Sequence, residues 1–253
     1  MTSGSIWKQM TFFAMPIFLG NLFQQLYNTV DSLIVGNFLG SSALAAVSSS
    51  GSLIFMLIGF LSGISAGAGV IVARFFGAGD EKNLQRAVHT TVAFGLVAGV
   101  LMTGVGVALS PQILRWMDTP ESVMRESVTY LQIYFAGSLG FVMYNVLVGI
   151  LQAVGDSRHP LYYLIVSSVI NLVLDLLFIT GFHTGVGGAA VATVISQIVS
   201  ALLCFWQLLR TKESYGLKIR KIRFDKGILV QIIKIGLPSG VQNSIIAFAN
   251  VIV

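Results

Sequence analysis

The chain alternates between long apolar segments and short polar connections. Six apolar segments of spanning length can be drawn, with a seventh at the end of the chain: 12–38, 44–73, 88–110, 124–151, 160–181, 188–209 and 227–253. An α-helix needs about 20 residues to cross a hydrocarbon core of about 30 Å, and every segment reaches that length. The pattern therefore predicts an all-α polytopic membrane protein, with a six-helix transmembrane bundle followed by a truncated seventh helix.

The amino-acid composition supports a membrane protein in contact with the lipid bilayer. Charged residues make up 10% of the 253 residues, against roughly 25% in soluble proteins. The single cysteine, Cys204, excludes an internal disulfide framework, and the three histidines lack the spacing of metal ligands. The first apolar segment is too long for the apolar region of a cleaved signal peptide, so we expect it to act as an uncleaved anchor.

Positive charge is distributed unequally between the two sides of the predicted bundle. With loops assigned to alternate sides, the side of the N-terminus collects twelve cationic residues: Lys8, Arg74, Lys82, Arg86, Arg158, Arg210, Lys212, Lys218, Arg220, Lys221, Arg223 and Lys226. The other side collects two, Arg115 and Arg125. This bias predicts a cytoplasmic N-terminus. It also explains the net charge of +5 without a nucleic-acid partner, because the run at 218–226 would lie beside anionic lipid headgroups.

The seventh segment is similar to the first. Three positions recur 222 residues later, so that Pro16, Asn21 and Asn28 match Pro238, Asn243 and Asn250. Both segments begin on the same side, which indicates a parallel repeat of the kind found in secondary transporters. We therefore expect an N-terminal six-helix lobe at 1–209, a basic cytoplasmic loop at 210–226 and the first helix of a second lobe at 227–253. The chain would then be a fragment of a longer protein that is a monomer when complete.

Glycines at four-residue spacing mark two of the apolar segments. Gly59, Gly63 and Gly67 lie in the second segment, and Gly95 and Gly99 lie in the third. Such spacing allows the backbones of two helices to approach closely. We expect these glycines to serve helix packing, with a sliding surface as the alternative.

Only two of the ten carboxylates, Asp31 and Asp175, lie deep in predicted spans. A charged residue at a helix centre costs about 2.5–3.5 kcal/mol on insertion scales. Both side chains should therefore face protein or water, which makes each a candidate functional residue.

The first segment arranges its polar residues on one helical face. Asn21, Gln24, Asn28 and Asp31 are spaced three, four and three residues apart. Pro16 precedes them and permits a helix bend, because proline removes one backbone hydrogen bond. We assign Asn21, Gln24 and Asn28 to a substrate cavity; the alternative is a polar stripe that only holds helices together.

Depth in the membrane links Asp31 to residues on other segments. Asn171 and Asp175 share a helical face, and Thr193 and Tyr130 lie at a similar distance from the predicted outer ends of their helices. At 1.5 Å per residue, Asp31, Asp175, Thr193 and Tyr130 all lie about 10 Å below the outer surface. This predicts one polar chamber for cation coupling. Two carboxylates there cannot both ionise cheaply, so the pair can carry a proton or exchange it for Na⁺ at Asp31, Asn171 and Asp175.

Several stretches resemble the multidrug and toxic compound extrusion (MATE) family. They are "MPIFLGNLFQQLYNTVDSLIVG", "NLVLDLLF", "ARFFGAGD", "GILQAVGDSRHP" and "GGAAVATVISQ". The resemblance covers the whole chain, but only the first of two six-helix lobes and the start of the next. It implies an antiporter, not an enzyme, without a cofactor, in the plasma membrane of a bacterium. Such proteins export drug-like cations by alternating access in exchange for H⁺ or Na⁺.

By the same resemblance, the cation site of the first lobe maps onto Asp31, Asn171, Asp175 and Thr193, and the helix bend maps onto Pro16. Tyr130 matches less closely, because Tyr134 and Tyr144 are near it. The choice between H⁺ and Na⁺ stays open, since a second lobe could carry a cation site of its own.

Three other functions are weaker alternatives. A lipid-linked precursor flippase of the same superfamily would need arginines in its cavity to hold a diphosphate, and no arginine lies deep in a span. An intramembrane aspartyl protease would need a GxGD motif, and Asp175 lies in "LVLDL". A six-helix half that dimerises would leave the seventh segment without a role. The "GVGGAA" stretch at 185–190 matches a dinucleotide pattern but joins two spans, so we regard it as a chance match.

Overall fold

The structure, a computed structural model, describes residues 6–252. Within that range it is helical and contains no β-strand, which confirms the predicted all-α class. The helices are α1 (Ile6–Leu39), α2 (Ser41–Gly77), α3 (Glu81–Trp116), α4 (Glu121–Ala136), α5 (Ser138–Ala153), α6 (Arg158–Leu176), α7 (Val186–Arg210) and α8 (Lys226–Ile252). A π-helical turn, Leu177–Gly181, extends α6, and a 3₁₀ turn, Ile219–Lys221, lies between α7 and α8.

The helices differ in how well they suit a membrane. Within residues 6–252, α2, α3, α6 with its π-turn, and α7 are each long and apolar enough to cross a bilayer. The helices α4 and α5 qualify only as a pair, bent by 50°, so five crossings are supported by length and composition. Among the described residues, α1 and α8 are long but do not meet both conditions. The seven predicted segments are helical where the structure describes them.

The fourth predicted segment is broken at Gly137, between α4 and α5. A Cβ atom at this position would collide with the side chain of Val194 on α7. Glycine is therefore required where the bent pair passes α7, because a larger residue would separate the helices.

The glycines of α3 pack against α5. A Cβ at Gly95 would lie within 3.3 Å of Met143 and Val146, and one at Gly99 would lie within 2.9 Å of Leu139. The predicted role of this spacing in close helix packing is confirmed here.

The glycines of α2 make a closer contact, with α8. Gly63 lies directly against Gly240, and Gly67 lies against Gly236, so that a Cβ on either α2 glycine would overlap backbone atoms of α8. As the residue number increases along α2, the number of the contacted glycine on α8 decreases, so the two helices run antiparallel. Four glycines thus let two backbones cross without intervening side chains.

Polar bonds lie on either side of the glycine contact between α2 and α8. Nη2 of Arg74 donates to Oε1 of Gln231 at 2.8 Å. Further along α8, Oγ of Ser244 donates to the carbonyl of Met56 at 3.3 Å. The contact therefore covers at least residues 231–244 of α8.

Apolar side chains form two buried clusters along the bundle. The larger includes Leu84, Leu151 and Leu208 and reaches Leu217 and Ile228 in the connection to α8. The smaller includes Ile34, Leu114, Leu131 and Ile179 near the predicted outer side. The polar site described below lies among α1, α4, α6 and α7, which supply most of the second cluster.

The start of α3 is fixed by Asp80. Its carboxylate accepts hydrogen bonds from the backbone N–H of Asn83 at 3.1 Å and from Nδ2 of Asn83 at 2.7 Å. These bonds, with a smaller contribution from Lys82 and Arg86, lower the pKa of Asp80 from its ordinary value of 3.8. Asp80 is therefore an N-cap that works in its ionised form.

Asp80→Ala should lower the thermal unfolding midpoint at about pH 7, and Asp80→Asn should lower it less, because asparagine still caps a helix. Since the folded-state pKa is depressed, this stabilisation is present above pH 3.8 and is lost as the pH falls through the folded-state value. Scanning fluorimetry between about pH 7 and about pH 3 should show the wild-type and alanine midpoints converging in acid. Glu213→Ala, in the exposed connection after α7, is the control; a gap that stays constant in acid would contradict the prediction.

Candidate functional site

The two intramembrane acids meet although they lie on different helices. Asp31 is on α1 and Asp175 is near the end of α6, and their carboxyl groups lie within hydrogen-bonding reach of each other. Asp175 is completely buried, and one oxygen of each acid, Oδ1, lacks a donor from any described residue. Two carboxylates this close repel each other when both are ionised, and a shared proton or a cation between them would remove that repulsion.

Asn171, which Thr193 holds in place, positions the carboxyl group of Asp175 through a hydrogen bond. In the amide orientation that satisfies both atoms, Nδ2 of Asn171 donates to Oδ2 of Asp175 at 2.6 Å, and its Oδ1 accepts from the Thr193 backbone N–H at 3.1 Å. Oγ1 of Thr193 donates to the carbonyl of Ala189 at 3.0 Å. Asp175 is thereby held in one orientation by α6 and α7 together.

Three tyrosines, Tyr27, Tyr130 and Tyr134, line the same cavity as Asp31. Tyr130 is buried and stacks on Tyr134 with a centroid separation of 6.4 Å. Tyr27 on α1 lines the same cavity as Thr193. The structure thus brings together the five predicted cation-coupling residues and adds Tyr27 and Tyr134 to them.

Tyr27 could have been found from the sequence. It shares a helical face with the polar stripe of α1, since Gln24, Tyr27, Asn28 and Asp31 follow the spacing of zero, three, four and seven residues. Tyrosine is counted as an apolar residue in a membrane helix because of its aromatic ring, so its polar hydroxyl group was overlooked.

A cavity of about 800 Å³ lies beside the acid pair. Asn21, Gln24, Asn28 and Asp31 all line it, as does Pro16 at the other end of α1. Within the stripe, Nε2 of Gln24 donates to Asn28 at 3.4 Å, and Nδ2 of Asn28 donates to Gln25 at 3.3 Å. The α1 amides are thus exposed to the cavity rather than to other helices.

The opposite wall carries polar groups that the sequence analysis missed. Oγ of Ser62 on α2 lies 3.5 Å from Oδ1 of Asn145 on α5, and Gln152 and Gln197 line the same cavity. Asn145 and Gln152 are seven residues apart on α5 and so share a helical face, a spacing that could have indicated this wall from the sequence.

The cavity has an acidic but otherwise uncharged lining. Asp31 is the only carboxylate in the lining, which contains no Lys or Arg among residues 6–252. Four tyrosines (Tyr27, Tyr130, Tyr134 and Tyr144) contribute aromatic surface. A volume of this size, mostly apolar with a few polar groups, suits a drug-sized molecule. The aromatic faces and the acid favour a cation over an anion.

Two irregularities lie on either side of the site. The π-helical turn Leu177–Gly181 begins two residues after Asp175, and its widened ring is seen in the bond from the N–H of Phe182 to the carbonyl of Leu177 at 3.0 Å. Such turns are frequent at functional sites. Pro16 lies inside α1, which continues through it as one helix. The bend predicted at Pro16 stays a prediction.

The described residues contain no group of three or more His, Cys, Asp or Glu side chains that could hold a metal ion together. A sodium ion would use other oxygens, since hard cations accept carboxylate, amide and hydroxyl ligands. Asp31, Asp175, Asn171 and Thr193 offer that set. Their role as a cation site is a proposal developed below.

Comparison with known proteins identifies the family. The MatE family model matches residues 16–177, which is more than half of the chain, and the chain therefore belongs to the MATE family. It is 34% identical to the probable multidrug resistance protein YoeA of Bacillus subtilis (strain 168) over 98% of this chain and 55% of that protein.

Solved structures of MATE transporters share the fold. The outward-facing conformation of a multidrug resistance MATE transporter superposes with a TM-score of 0.87 at 27% identity, over 95% of this chain and 53% of that one. An inward-facing conformation superposes with a TM-score of 0.81 at 29% identity, over 89% of this chain and 52% of that one. The chain spans about half the length of the relatives it matches, and the two solved structures are named as transporters.

Proposed function

We propose that this chain belongs to a secondary active antiporter that exports drug-like, often cationic, small molecules in exchange for H⁺ or Na⁺. The observation that carries the proposal is the pair of half-buried Asp31 and fully buried Asp175 beside a cavity of about 800 Å³ without a cationic side chain in its described lining. The multidrug resistance and export names of the relatives favour the same activity.

The acid pair provides a physical basis for coupling. When it holds no proton or cation, two adjacent carboxylates repel each other, and when it holds one, they can approach and share it. Because Asp31 is on α1 and Asp175 is on α6, the distance between these helices depends on occupancy. Binding of the ion therefore favours one packing of α1, with Pro16 as the proposed bend, and release favours another.

The driving force is adequate for export. One charge that moves through 100 mV supplies about 2.3 kcal/mol. This corresponds to roughly fifty-fold concentration of a neutral substrate, or to part of the work of moving a cation. Either H⁺ or Na⁺ could supply it.

The topology follows from the charge bias of the loops. We propose a multi-pass protein of the plasma membrane with a cytoplasmic N-terminus, in which 1–209 form the first lobe and 210–226 form the connecting loop. Residues 227–253 would begin a second lobe, which would complete the transporter as a monomer. This division is supported by the coverage of about half of each relative.

Two alternatives keep some support. A lipid-linked precursor flippase would share the fold, but its diphosphate substrate would meet Asp31 in a cavity whose described lining has no Lys or Arg. An intramembrane aspartyl protease would also use two close acids, so the acid pair alone does not distinguish it. Membership of the MATE family and the names of the relatives favour transport.

Transport driven by each ion gradient alone tests the proposal. The full-length protein would be reconstituted in liposomes loaded with a fluorescent lipophilic cation, and efflux would be followed under an imposed proton gradient or an imposed sodium gradient. We expect one gradient to accelerate efflux at least tenfold over a liposome without a gradient. An equal rate in all conditions would reject ion-coupled export, and cleavage of a transmembrane peptide without transport would favour the protease.

A further inference from the structure

We propose that a second pocket, at the predicted cytoplasmic end of α3, binds the phosphate headgroup of an anionic phospholipid of the inner leaflet. The pocket has a volume of about 410 Å³ and lies between the first turns of α3 and the segment that connects α7 to α8. The cationic residues that line it are Lys82, Arg86, Arg220, Lys221 and Arg223. This proposal goes beyond the transport function and does not depend on it.

Buried hydrogen bonds build the wall of this headgroup pocket. His89 on α3 is 2% exposed, and its Nε2 accepts from the backbone N–H of Lys218 at 3.0 Å. Its Nδ1 lies 2.6 Å from the carbonyl of Gln85. Because a backbone N–H can only donate, Nε2 carries no proton and Nδ1 donates, so His89 is the neutral tautomer that joins the connecting segment to α3.

A second buried residue joins the same two elements. Thr90 is fully buried, and its Oγ1 accepts from the backbone N–H of Asp225 at 3.1 Å. His89 and Thr90 thus attach both ends of the 218–225 stretch to α3. The cationic side chains between these attachments are held around a preformed space rather than on a free loop.

The pocket has an excess of positive charge. Five cations face a single carboxylate, that of Asp225. Its Oδ2 lies 3.8 Å from Nη1 of Arg86, and its Oδ1 accepts from the backbone N–H of Ile228 at 3.2 Å at the start of α8. Asp225 is therefore already engaged, and an anionic group would neutralise the other cations. Guanidinium and ammonium groups bind phosphate oxygens through charge-assisted hydrogen bonds.

Exposed apolar side chains beside the cations favour a lipid over a free anion. Ile219 is 61% exposed and Phe224 is 46% exposed, and they lie on either side of Arg220, Lys221 and Arg223 in the sequence. Basic residues interleaved with exposed apolar ones are typical of segments that lie in the membrane interface. The apolar side chains would contact acyl chains while the cations hold the headgroup. Free phosphate has no acyl chain, so it could not contact these apolar side chains favourably.

Lipid retention by a pocket variant tests the proposal. The full-length protein, purified in detergent, would be incubated with dioleoylphosphatidylglycerol, with dioleoylphosphatidylcholine or with inorganic phosphate, and bound molecules would be counted by native mass spectrometry. The pocket variant is Lys82→Gln, Lys221→Gln and Arg223→Gln, whose side chains are all exposed. The control variant removes the same charge outside the pocket, through Lys8→Gln, Arg158→Gln and Lys212→Gln.

We expect the wild type to retain phosphatidylglycerol at least tenfold more strongly than phosphatidylcholine. Each cation near a membrane surface contributes about fivefold in affinity, so the pocket variant should lose tenfold or more and the control less than threefold. Unfolding midpoints in phosphatidylcholine should be equal for all three proteins. Equal losses of phosphatidylglycerol retention in both variants would contradict a specific pocket and indicate nonspecific attraction to the cationic surface. Binding of inorganic phosphate as strong as that of phosphatidylglycerol would overturn the assignment to a lipid, and so would the absence of a preference among lipids.

Discussion

Asp175→Asn should abolish ion-coupled export, with a loss of at least about 100-fold in the initial rate, while the protein still folds. Asparagine has nearly the shape of aspartate and can keep a hydrogen bond to Asn171, but it carries no charge and exchanges no proton. Two carboxylates could then no longer repel each other across the site, so the occupancy of the pair would no longer set the separation of its two helices. Asp31→Asn should have the same effect for the same reason.

The measurement is efflux from liposomes under the coupling gradient, together with equilibrium binding of the same fluorescent cation. Both variants should retain a single elution peak in size-exclusion chromatography, which separates loss of coupling from loss of fold. Glu126→Gln is the matched control, since Glu126 is an exposed acid one turn before Tyr130 on α4. Coupled transport at the wild-type rate in both aspartate variants would reject the acid pair as the coupling site.

Gly67→Ala should strongly destabilise the protein although it adds one methyl group. The new Cβ would overlap Cα and N of Gly236, and Gly63→Ala would likewise overlap the backbone of Gly240. Side chains can turn away from such a contact, but backbone atoms move only if the whole helix moves. Overpacking in tight contacts costs about 1–3 kcal/mol, and a backbone contact should lie at the upper end.

The expected result is a drop of several degrees in the thermal unfolding midpoint, with a matching loss of protein that elutes as a single species. Gly104→Ala is the control, because a Cβ at that position of α3 has no other atom within 4 Å. It should be neutral or slightly stabilising, since alanine is the better helix former. An unchanged midpoint in Gly67→Ala would mean that α2 and α8 are farther apart than described.

The helices and the meeting of the acids were accessible from the sequence because membranes impose strong constraints. Spanning length and the cost of buried charge restrict where a helix begins and where an acid is tolerated. Comparing depths then put Asp31, Asp175, Thr193 and Tyr130 at one level, and the structure has them in one cluster. Their function as a cation site stays a prediction until transport is measured.

Contacts between distant segments could not be predicted from the sequence in the same way. The break at Gly137 depends on Val194 of another helix, and the partners of Gly63 and Gly67 are 177 and 169 residues away. The spacing in α2 predicted a close helix neighbour but not which helix. The headgroup pocket likewise joins α3 to a segment more than 130 residues later, and hydropathy treats both simply as loops.

Helix α2 has two faces with different neighbours. Ser62, Ser65 and Gly69 line the cavity, whereas Gly63 and Gly67 touch α8 on the other face. With no side chains between the two backbones, there is nothing compressible to absorb a shift of α8. Any displacement of α8 that preserves this contact must carry α2 with it and change the width of the cavity. A molecule bound to Ser62 and Ser65 would therefore be separated from α8 only by α2. A movement of α8 would change the width of the cavity, and with it the affinity of the protein for that molecule.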